Sequence, residues 1–393
     1  MKYGEKQAII SGIGQSRIGR RLDVPGLTLT VDAIERALDD AGLAASDIDG
    51  MTSWPGFMPD SPGFSPVSIG EVKEAFGFDL NYYSAGPEAS QLSAIINACM
   101  AVATGQARHV VCFRTMTESS AMAKGERSSV IGQRTARVDG LFQWLSPFGA
   151  VSASNWVGMI AQRYLHEFGK TRADLAPIAL NARANAARNP AAIYREALSL
   201  DDYMAARMIS APLCLYDCDV PIDGSTVLII SHRDTAPDLR SKAIRIEAAC
   251  GTLIGRDSWD QQPDPTRFMA SAAAERMWSR TDLKPNDVDV ACLYDGFSFL
   301  TVLWIEALGY CGRGEALDFI AGGHRIAPDG ELPLNPHGGQ LSAGRTHGFG
   351  FVHEAVTQLR GGAGERQIGG DPSTAVITNG GGNIASALLL VRD

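Results

Sequence analysis

The feature that most constrains this chain is the alternation of short apolar runs with segments of helical periodicity. Apolar runs of strand length occur at 7–14, 109–114, 225–231, 243–249, 288–293, 374–378 and 385–391. Apolar residues recur at helical spacing at 29–41, 90–107, 264–278, 296–308 and 353–359. The pattern predicts a duplicated α/β fold with halves at 1–250 and 251–393, the first of which contains an irregular loop domain at about 115–210.

Charge and composition exclude several classes of protein. The 35 Lys and Arg residues against 44 Asp and Glu residues give a net charge of −9, whereas a nucleic-acid binder normally carries a basic surface. Hydrophobic residues make up 45% of the chain and charged residues 20%, which excludes bulk disorder. The length of 393 residues fits two or three ordinary domains or one large duplicated fold.

Targeting, membrane and metal signals are not found in the sequence. The first residues, MKYGEKQAIISGIG, do not follow the secretory pattern, and no apolar run approaches the ~20 residues of a membrane span. Seven cysteines at irregular spacing indicate free thiols in a reducing compartment, so we expect a cytoplasmic protein. Cys214 and Cys218 lack a second ligand pair, so no metal site is predicted. The GlyIleGly segment at 12–14 lacks the third glycine and the acidic partner of a dinucleotide fingerprint.

Four ordered segments together carry a family resemblance. They are YDGFSF with IEALG at 294–309, LNPHGGQLSAGRTHG at 334–348, TNGGG at 378–382 and DCDVPIDG at 217–224. The first three resemble the HDxF-S…YEALGL, N-x-x-G-G-x-x-x-x-G-H-P-x-G and C-x-G-G-G motifs of the thiolase superfamily, in its branch near the thiolase domain of sterol carrier protein x. The fourth closes the insert, which resembles the same branch. The resemblance implies a five-layered α-β-α-β-α fold.

This chain carries different side chains at the positions of the thiolase catalytic groups. The nucleophilic cysteine at a helix start corresponds to Glu88, and the histidine of the G-H-P motif corresponds to Arg345. The second catalytic cysteine corresponds to Thr378, and the first residue of the HDxF motif corresponds to Tyr294. A mechanism through an acyl-cysteine is therefore excluded.

The groups that remain are suited to proton transfer and to holding an enolate. Tyr294 can donate a proton, or act as a base if the neighbouring Arg345 lowers the pKa of its phenol. His337 and His347 flank Arg345 in sequence, and we expect one of them to exchange protons near neutral pH.

The glycine-rich loops supply further candidates. The backbone N–H groups of Gly380 and Gly381, together with Asn379, are candidates for binding a thioester oxyanion. The remaining candidates for the site are Glu88, Asp295, Phe349 and Thr378. Phe349 stands where the resemblance leads us to expect a second tyrosine.

The resemblance extends to a branch that lacks the catalytic cysteine, the steroid side-chain-cleaving aldolases. It implies retro-aldol cleavage of a β-hydroxyacyl-CoA, giving a ketone and propionyl-CoA, with the CoA thioester as substrate and no cofactor in this chain. It also implies a homodimer that works with a small OB-fold/zinc-ribbon partner of the DUF35 type as a heterotetramer.

Structural explanations remain open for several of these residues. Tyr294 can be a packed ring, Glu88 a first-turn helix acid, and Arg345 the partner of Asp295 or Glu354. The run RANAARNP at 183–190 is either a solvated helix face or a contact for the CoA phosphates. For the whole protein, the alternative function is a non-catalytic acyl-CoA or lipid-binding protein that kept the fold.

Overall fold

The computed structural model describes residues 3–86, 90–126, 140, 142–255, 264 and 268–392. The first half begins with β1 (Ala8–Gln15), α1 (Gly26–Ala41), β2 (Gly50–Ser53), α2 (Ile69–Phe76), β3 (Tyr82–Ala85), α3 (Ser93–Ala103) and β4 (His109–Thr117). The insert contains α4 (Glu118–Ala123), α5 (Phe142–Leu145), α6 (Ala153–Glu167), α7 (Arg172–Ala187), α8 (Leu200–Ala205), β5 (Met208–Ser210) and β6 (Leu213–Cys214), and the chain then returns to the core as β7 (Asp223–His232). The second half contains β8 (Ile244–Leu253), α9 (Ser271–Trp278), β9 (Val290–Cys292), α10 (Ser298–Leu308), α11 (Ala316–Phe319), α12 (Gly348–Leu359), β10 (Thr374–Gly380) and β11 (Ile384–Val391).

The described core strands form one sheet whose order repeats about its middle. The order is β3-β2-β4-β7-β1-β8-β11-β10-β9, and the halves meet where β1 pairs antiparallel with β8. Outward from this junction, β1-β7-β4-β2 corresponds to β8-β11-β10-β9. The pairing agrees as well, because β4 and β10 each have one antiparallel and one parallel neighbour. The predicted duplicated α/β fold is confirmed.

Two helices lie between the half-sheets. α3 packs on β2, β4 and β7 and also reaches β8 of the other half. α12 packs on β9 and β10 and also reaches β1 and β7. On the outer faces, α1 covers the first half-sheet, while α9 covers β8 and β11 with α10 packed against it. The arrangement has the five layers that the resemblance implies. Nine of the eleven residues of α10 are buried, because α6 and α7 of the insert pack on it in addition to α9.

The glycines of β1 are required for packing. A Cβ atom on Gly14 would overlap the backbone carbonyl of Ala33, and a Cβ atom on Gly12 would overlap that of Ala37. Because neither glycine has a side chain, α1 lies directly on β1. This close approach accounts for the GlyIleGly segment without a nucleotide.

Some element boundaries differ from the predicted ones. α12 begins at Gly348, ahead of the predicted start at 353, because Gly348 and Gly350 fit where a Cβ atom would overlap Leu92 and Thr346. α9 begins at Ser271, later than the predicted start at 264. The division between residues 250 and 251 stays a prediction, and it falls inside β8.

Spanning a bilayer requires a long, apolar helix, and this can be checked for each of the described helices. None of them combines the length and the apolar character that a membrane-crossing helix needs.

Candidate active site

Tyr294 is held rigidly at the end of β9. Its backbone N–H donates to the Thr378 hydroxyl of β10 (3.1 Å), and its carbonyl accepts from the Thr301 hydroxyl of α10 (3.1 Å). A Cβ atom on Gly296 would lie 2.5 Å from the Tyr294 hydroxyl, so the glycine is what lets the phenol fold back over its own loop. The ring packs edge-on against Phe351 at 6.5 Å. The Thr378 hydroxyl thus helps to hold the backbone of Tyr294 in place.

Arg345 lies between the buried carboxylate of Glu118 and the partly buried carboxylate of Asp219. It donates to Glu118 at the start of α4 and to Asp219, which lies in the segment leading to β7 (2.9 Å). Burial alone lowers the pKa of Arg345, but Asp219 and Glu118 outweigh it and raise the pKa. The alternative pairing with Asp295 or Glu354 is wrong, because the topology places the end of β4 and the start of β7 beside the Arg345 loop.

Asp219 has the acid–base properties that a proton acceptor needs. Burial raises its pKa to about 6, while the positive charge of Arg345 prevents a larger shift. The carboxylate is therefore ionised at neutral pH, yet it is basic enough to accept a proton.

The phenol of Tyr294 responds to the same charges. Burial raises the pKa of Tyr294, and Asp219 raises it further, against the opposing effects of Gln91 and Arg345. The suggestion that Arg345 makes Tyr294 a base is therefore corrected, because burial and the nearby carboxylate outweigh the single cation. Tyr294 is a neutral phenol that can donate or relay a proton.

Gln91, just before α3, links several parts of the site. Its side-chain carbonyl accepts from the Gly348 N–H (3.0 Å) and from the Asn379 amide, and the side chain also hydrogen-bonds Tyr294. The Asn379 side-chain carbonyl is buried and has no partner among the described residues. An orphaned acceptor beside Tyr294 fits a site that a ligand completes.

The Gly380–Gly381 turn lies close to the tyrosine loop. Gly380 has φ +85°, and its carbonyl accepts from the Trp304 indole of α10 (2.9 Å). A Cβ atom on Gly381 would lie 2.8 Å from Leu300. The turn needs glycine for these close approaches, which is a structural reason for the motif in addition to the proposed oxyanion role.

His347 lies in the site but does not titrate near neutral pH. Burial lowers its pKa well below 6.5, and Arg114 and Arg345 lower it further. The ring lies edge-on to Trp54 and to Phe64, at 5.4 Å from each. His347 is consequently a neutral hydrogen-bonding group, in contrast to the expected proton exchange near pH 7.

His337 packs against the ring of Phe351, as Tyr294 does. Its ring is 5.6 Å from that of Phe351, and it lines a separate cavity of about 140 Å³ together with His353 and Arg366. Burial, assisted by the positive charge of Arg366, lowers the pKa of His337 to about 3. The two loop histidines thus have different neighbours, His337 in this cavity and His347 beside Trp54 and Phe64.

The three remaining predicted site residues are Asp295, Phe349 and Glu88, and each has a different outcome. Asp295 is buried, accepts from the Gln340 N–H (2.8 Å), and has a pKa raised to about 7 by burial. Phe349 is part of the hydrophobic core and offers no polar group to a substrate. Glu88 lies outside the described residues.

The cysteines cannot replace the missing nucleophile. Burial raises the pKa of every one of them: Cys99, Cys112, Cys214, Cys218, Cys250, Cys292 and Cys311. A raised pKa disfavours the thiolate, which is the nucleophilic form. Within the part of the chain that the structure describes, no group of three or more His, Cys, Asp or Glu residues is placed to hold a metal ion.

Sequence reasoning missed four residues of the site. Asp219 lay within the DCDVPIDG segment but was not singled out. Gln91 and Glu118 carried no signal of their own. Arg114 occurs in the apolar run HVVCFR, where a single cation predicts nothing about its neighbours.

Comparisons with known proteins agree with this geometry. Residues 251–392 match the family model described as thiolase C-terminal domain-like. A steroid side-chain-cleaving aldolase of Thermomonospora curvata is 34% identical over 98% of both chains. The 17-hydroxy-3-oxo-4-pregnene-20-carboxyl-CoA lyase of Mycobacterium tuberculosis is 34% identical over 90% of this chain and 92% of the relative. Among solved structures, the Ltp2-ChsH2(DUF35) aldolase superposes with a TM-score of 0.86 at 33% identity, covering 99% of this chain and 98% of that one.

Proposed function

Because this chain belongs to the thiolase-like family of steroid side-chain-cleaving aldolases, we propose that it cleaves a β-hydroxyacyl-CoA by a retro-aldol reaction. The substrate is a steroid with a 17-hydroxyl group and a short side chain as its CoA thioester, the class to which the name of the mycobacterial relative points. The products are a 17-ketosteroid and propionyl-CoA. The enzyme is a lyase and not a thiolase.

The reaction needs only proton transfers and a place for negative charge. A base takes the proton of the β-hydroxyl, the Cα–Cβ bond breaks, and the electron pair moves onto the thioester as an enolate. The β-carbon becomes the ketone, and the enolate is then protonated at Cα. The chemistry proceeds without a covalent intermediate and without a cofactor other than the CoA of the substrate.

The observation that carries the proposal is the buried Tyr294 on a loop bonded to Asp219, whose N–H donates to the Gly296 carbonyl (3.2 Å) and whose carboxylate binds Arg345. Tyr294, as a neutral phenol, accepts the proton of the substrate hydroxyl while passing its own proton towards the Asp219 carboxylate. Arg345 holds that carboxylate in place (2.9 Å) and keeps it ionised. The backbone N–H groups of Gly380 and Gly381, with the second N–H of the Asn379 side-chain amide, donate to the enolate oxygen.

The pKa of Asp219 predicts the pH dependence of cleavage. Below about pH 6 the carboxylate is protonated and cannot accept, so kcat/KM is expected to rise with pH through about 6 and then level off. Asp219→Asn should lower kcat at least ~100-fold and remove this limb. The check is a pH–rate profile of both proteins. A limb centred near 7 that only Asp295→Asn removes would assign the base to Asp295.

The assembly we propose is a homodimer joined to a DUF35-type partner as a heterotetramer. The name of the superposed aldolase complex supports the partner. The exposed edge of the sheet supports the dimer. β3 is the terminal strand, pairs only with β2 among the described strands, and carries Tyr83 with 72% of its surface exposed. An edge strand with an exposed aromatic side chain is suited to pairing with a second copy.

Tyr83→Lys is expected to convert the dimer to a monomer at micromolar concentration, because it places a charge on the paired edge. Sedimentation velocity measures the mass directly. Leu200→Lys, at an exposed apolar position of the insert, is the control that should remain dimeric. A Tyr83→Lys protein that remains dimeric would refute this interface.

The proposed function is tested by incubating the chain with a 17-hydroxysteroid side-chain CoA thioester, with and without the DUF35-type partner. We expect equal amounts of ketone and propionyl-CoA, and no thiolysis when free CoA is added. Tight binding with complete recovery of the thioester under both conditions would favour the non-catalytic binding protein.

The seven free cysteines support the cytoplasm as the proposed location.

A further inference from the structure

Arg114 is a buried cation whose hydrogen bonding is incomplete. It lies near the end of β4 with 1% of its surface exposed, and its guanidinium stacks over Trp54 (5.2 Å) and Phe64 (4.7 Å). Nη1 donates to the Thr115 carbonyl (3.1 Å), and Nη2 is buried without a partner among the described residues. Burial lowers the pKa of Arg114 to about 9, against the opposing charge of Glu118, so it is still charged at neutral pH.

The contact between Arg114 and His347 defines the state of the imidazole. Arg114 Nε lies 3.4 Å from His347 Nδ1. A guanidinium has only donors, so Nδ1 has to be the acceptor in this contact. A neutral imidazole that accepts through Nδ1 carries its proton on Nε2.

The surroundings hold His347 in this arrangement. The charged groups that face it are Arg114 from β4 and Arg345 from its own loop, and Trp54 and Phe64 enclose the ring. Its backbone has φ +53° and ψ −153°, which a residue with a side chain rarely adopts. Such a conformation persists only where the surrounding contacts enforce it. His347 also directly precedes Gly348, whose N–H is bound to Gln91 of the site.

We propose that Arg114 is a positioning residue that fixes His347 as the neutral Nε2–H tautomer, which then donates a hydrogen bond to the thioester enolate oxygen. The proposal rests on the proposed function and adds a side-chain donor to the loop N–H groups. Since no proton is transferred by His347, its role is to stabilise developing charge, and a neutral imidazole can do this without titrating.

¹⁵N NMR of protein labelled at histidine measures the tautomer independently of activity. The chain has seven histidines, and the signals that disappear in His347→Gln are those of His347. The expected wild-type spectrum shows His347 unprotonated at Nδ1, protonated at Nε2, and unchanged between about pH 5.5 and 8.5. In Arg114→Met the tautomers should mix and the ring should begin to titrate. Arg183→Met, which removes another buried guanidinium stacked on aromatic rings, should leave the His347 signals unchanged.

Kinetics supply the second readout. Arg114→Met is expected to lower kcat about 10- to 100-fold with little change in KM, and Arg114→Lys should recover part of the loss because it keeps the charge.

A wild-type His347 that is protonated at Nδ1, or that titrates near pH 6.5, would overturn the proposal even if no Arg114 variant folds. Unchanged kcat in folded Arg114→Met would overturn it as well. If the wild type shows the predicted spectrum but cleaves nothing, the proposed function fails, and the role of His347 towards the enolate fails with it. If the wild type cleaves the substrate but shows a different spectrum, only the role assigned to Arg114 is refuted.

Discussion

Tyr294→Phe is expected to lower kcat for cleavage of the β-hydroxyacyl-CoA by about 10²- to 10⁴-fold, the range typical for loss of a positioned acid–base group. The substitution removes only the hydroxyl. The ring keeps its packing against Phe351, and the backbone bonds to Thr378 and Thr301 are unaffected. Binding of the thioester and the melting temperature should therefore change little, so the loss falls on the chemical step. Single-turnover rates with an excess of enzyme measure it.

Tyr310→Phe is the matched control for this experiment. Tyr310 also has a buried hydroxyl, which lacks a partner among the described residues, but it lies outside the site. Its removal should leave kcat unchanged. Cleavage by Tyr294→Phe within a factor of about three of the wild-type rate would show that the phenol takes no part in proton transfer.

Arg345→Met is expected to abolish detectable cleavage and to destabilise the protein by about 3–5 kcal/mol, because it leaves the buried Glu118 and the partly buried Asp219 without their cation. Glu118 and Asp219 both lose a charged partner at once. The penalty should shrink as the pH falls from 7 to 5, because the pKa of Asp219 is already about 6 beside Arg345 and rises further when the cation is removed, so that protonation of Asp219 then removes its uncompensated charge. Denaturant unfolding at pH 7 and pH 5 measures both effects.

Arg366→Met separates the structural loss from the catalytic one. Arg366 forms a comparably buried pair with Glu354 (3.0 Å), and both residues line the cavity that contains His337. This variant should lose stability to a similar degree but retain cleavage at temperatures where it is folded. If Arg345→Met is as active as Arg366→Met, the Arg345 cluster is structural only.

The sequence predicted the core strands well, because short apolar runs such as those of β7 and β11 are most readily buried as strands of a central sheet. It did not predict β2 or β3, because four-residue strands such as Gly50–Ser53 leave too short a pattern. The start of α12 was missed because Gly348 and Gly350 count against a helix, while tertiary contact with Leu92 and Thr346 requires them.

The candidate site was predictable only where a motif fixed a residue next to its neighbours along the chain. Tyr294 and Thr378 come from two such motifs, and the structure joins them by a hydrogen bond. The partners of Arg345 were not predictable, because Glu118 and Asp219 reach it from separate segments through the sheet topology. The different surroundings of His337 and His347 were not predictable either, because loop spacing does not reveal which rings each imidazole contacts.

The central claim is that this fold breaks a carbon–carbon bond through a thioester enolate without a covalent intermediate. Cleavage of the steroid thioester in D₂O, in the presence of the DUF35-type partner and with no free CoA, tests it most directly. We expect one ketone per propionyl-CoA, with a single deuterium at C2 of the propionyl group where solvent protonates the enolate. Propionyl-CoA without deuterium at C2, or cleavage that starts only when free CoA is added, would contradict it.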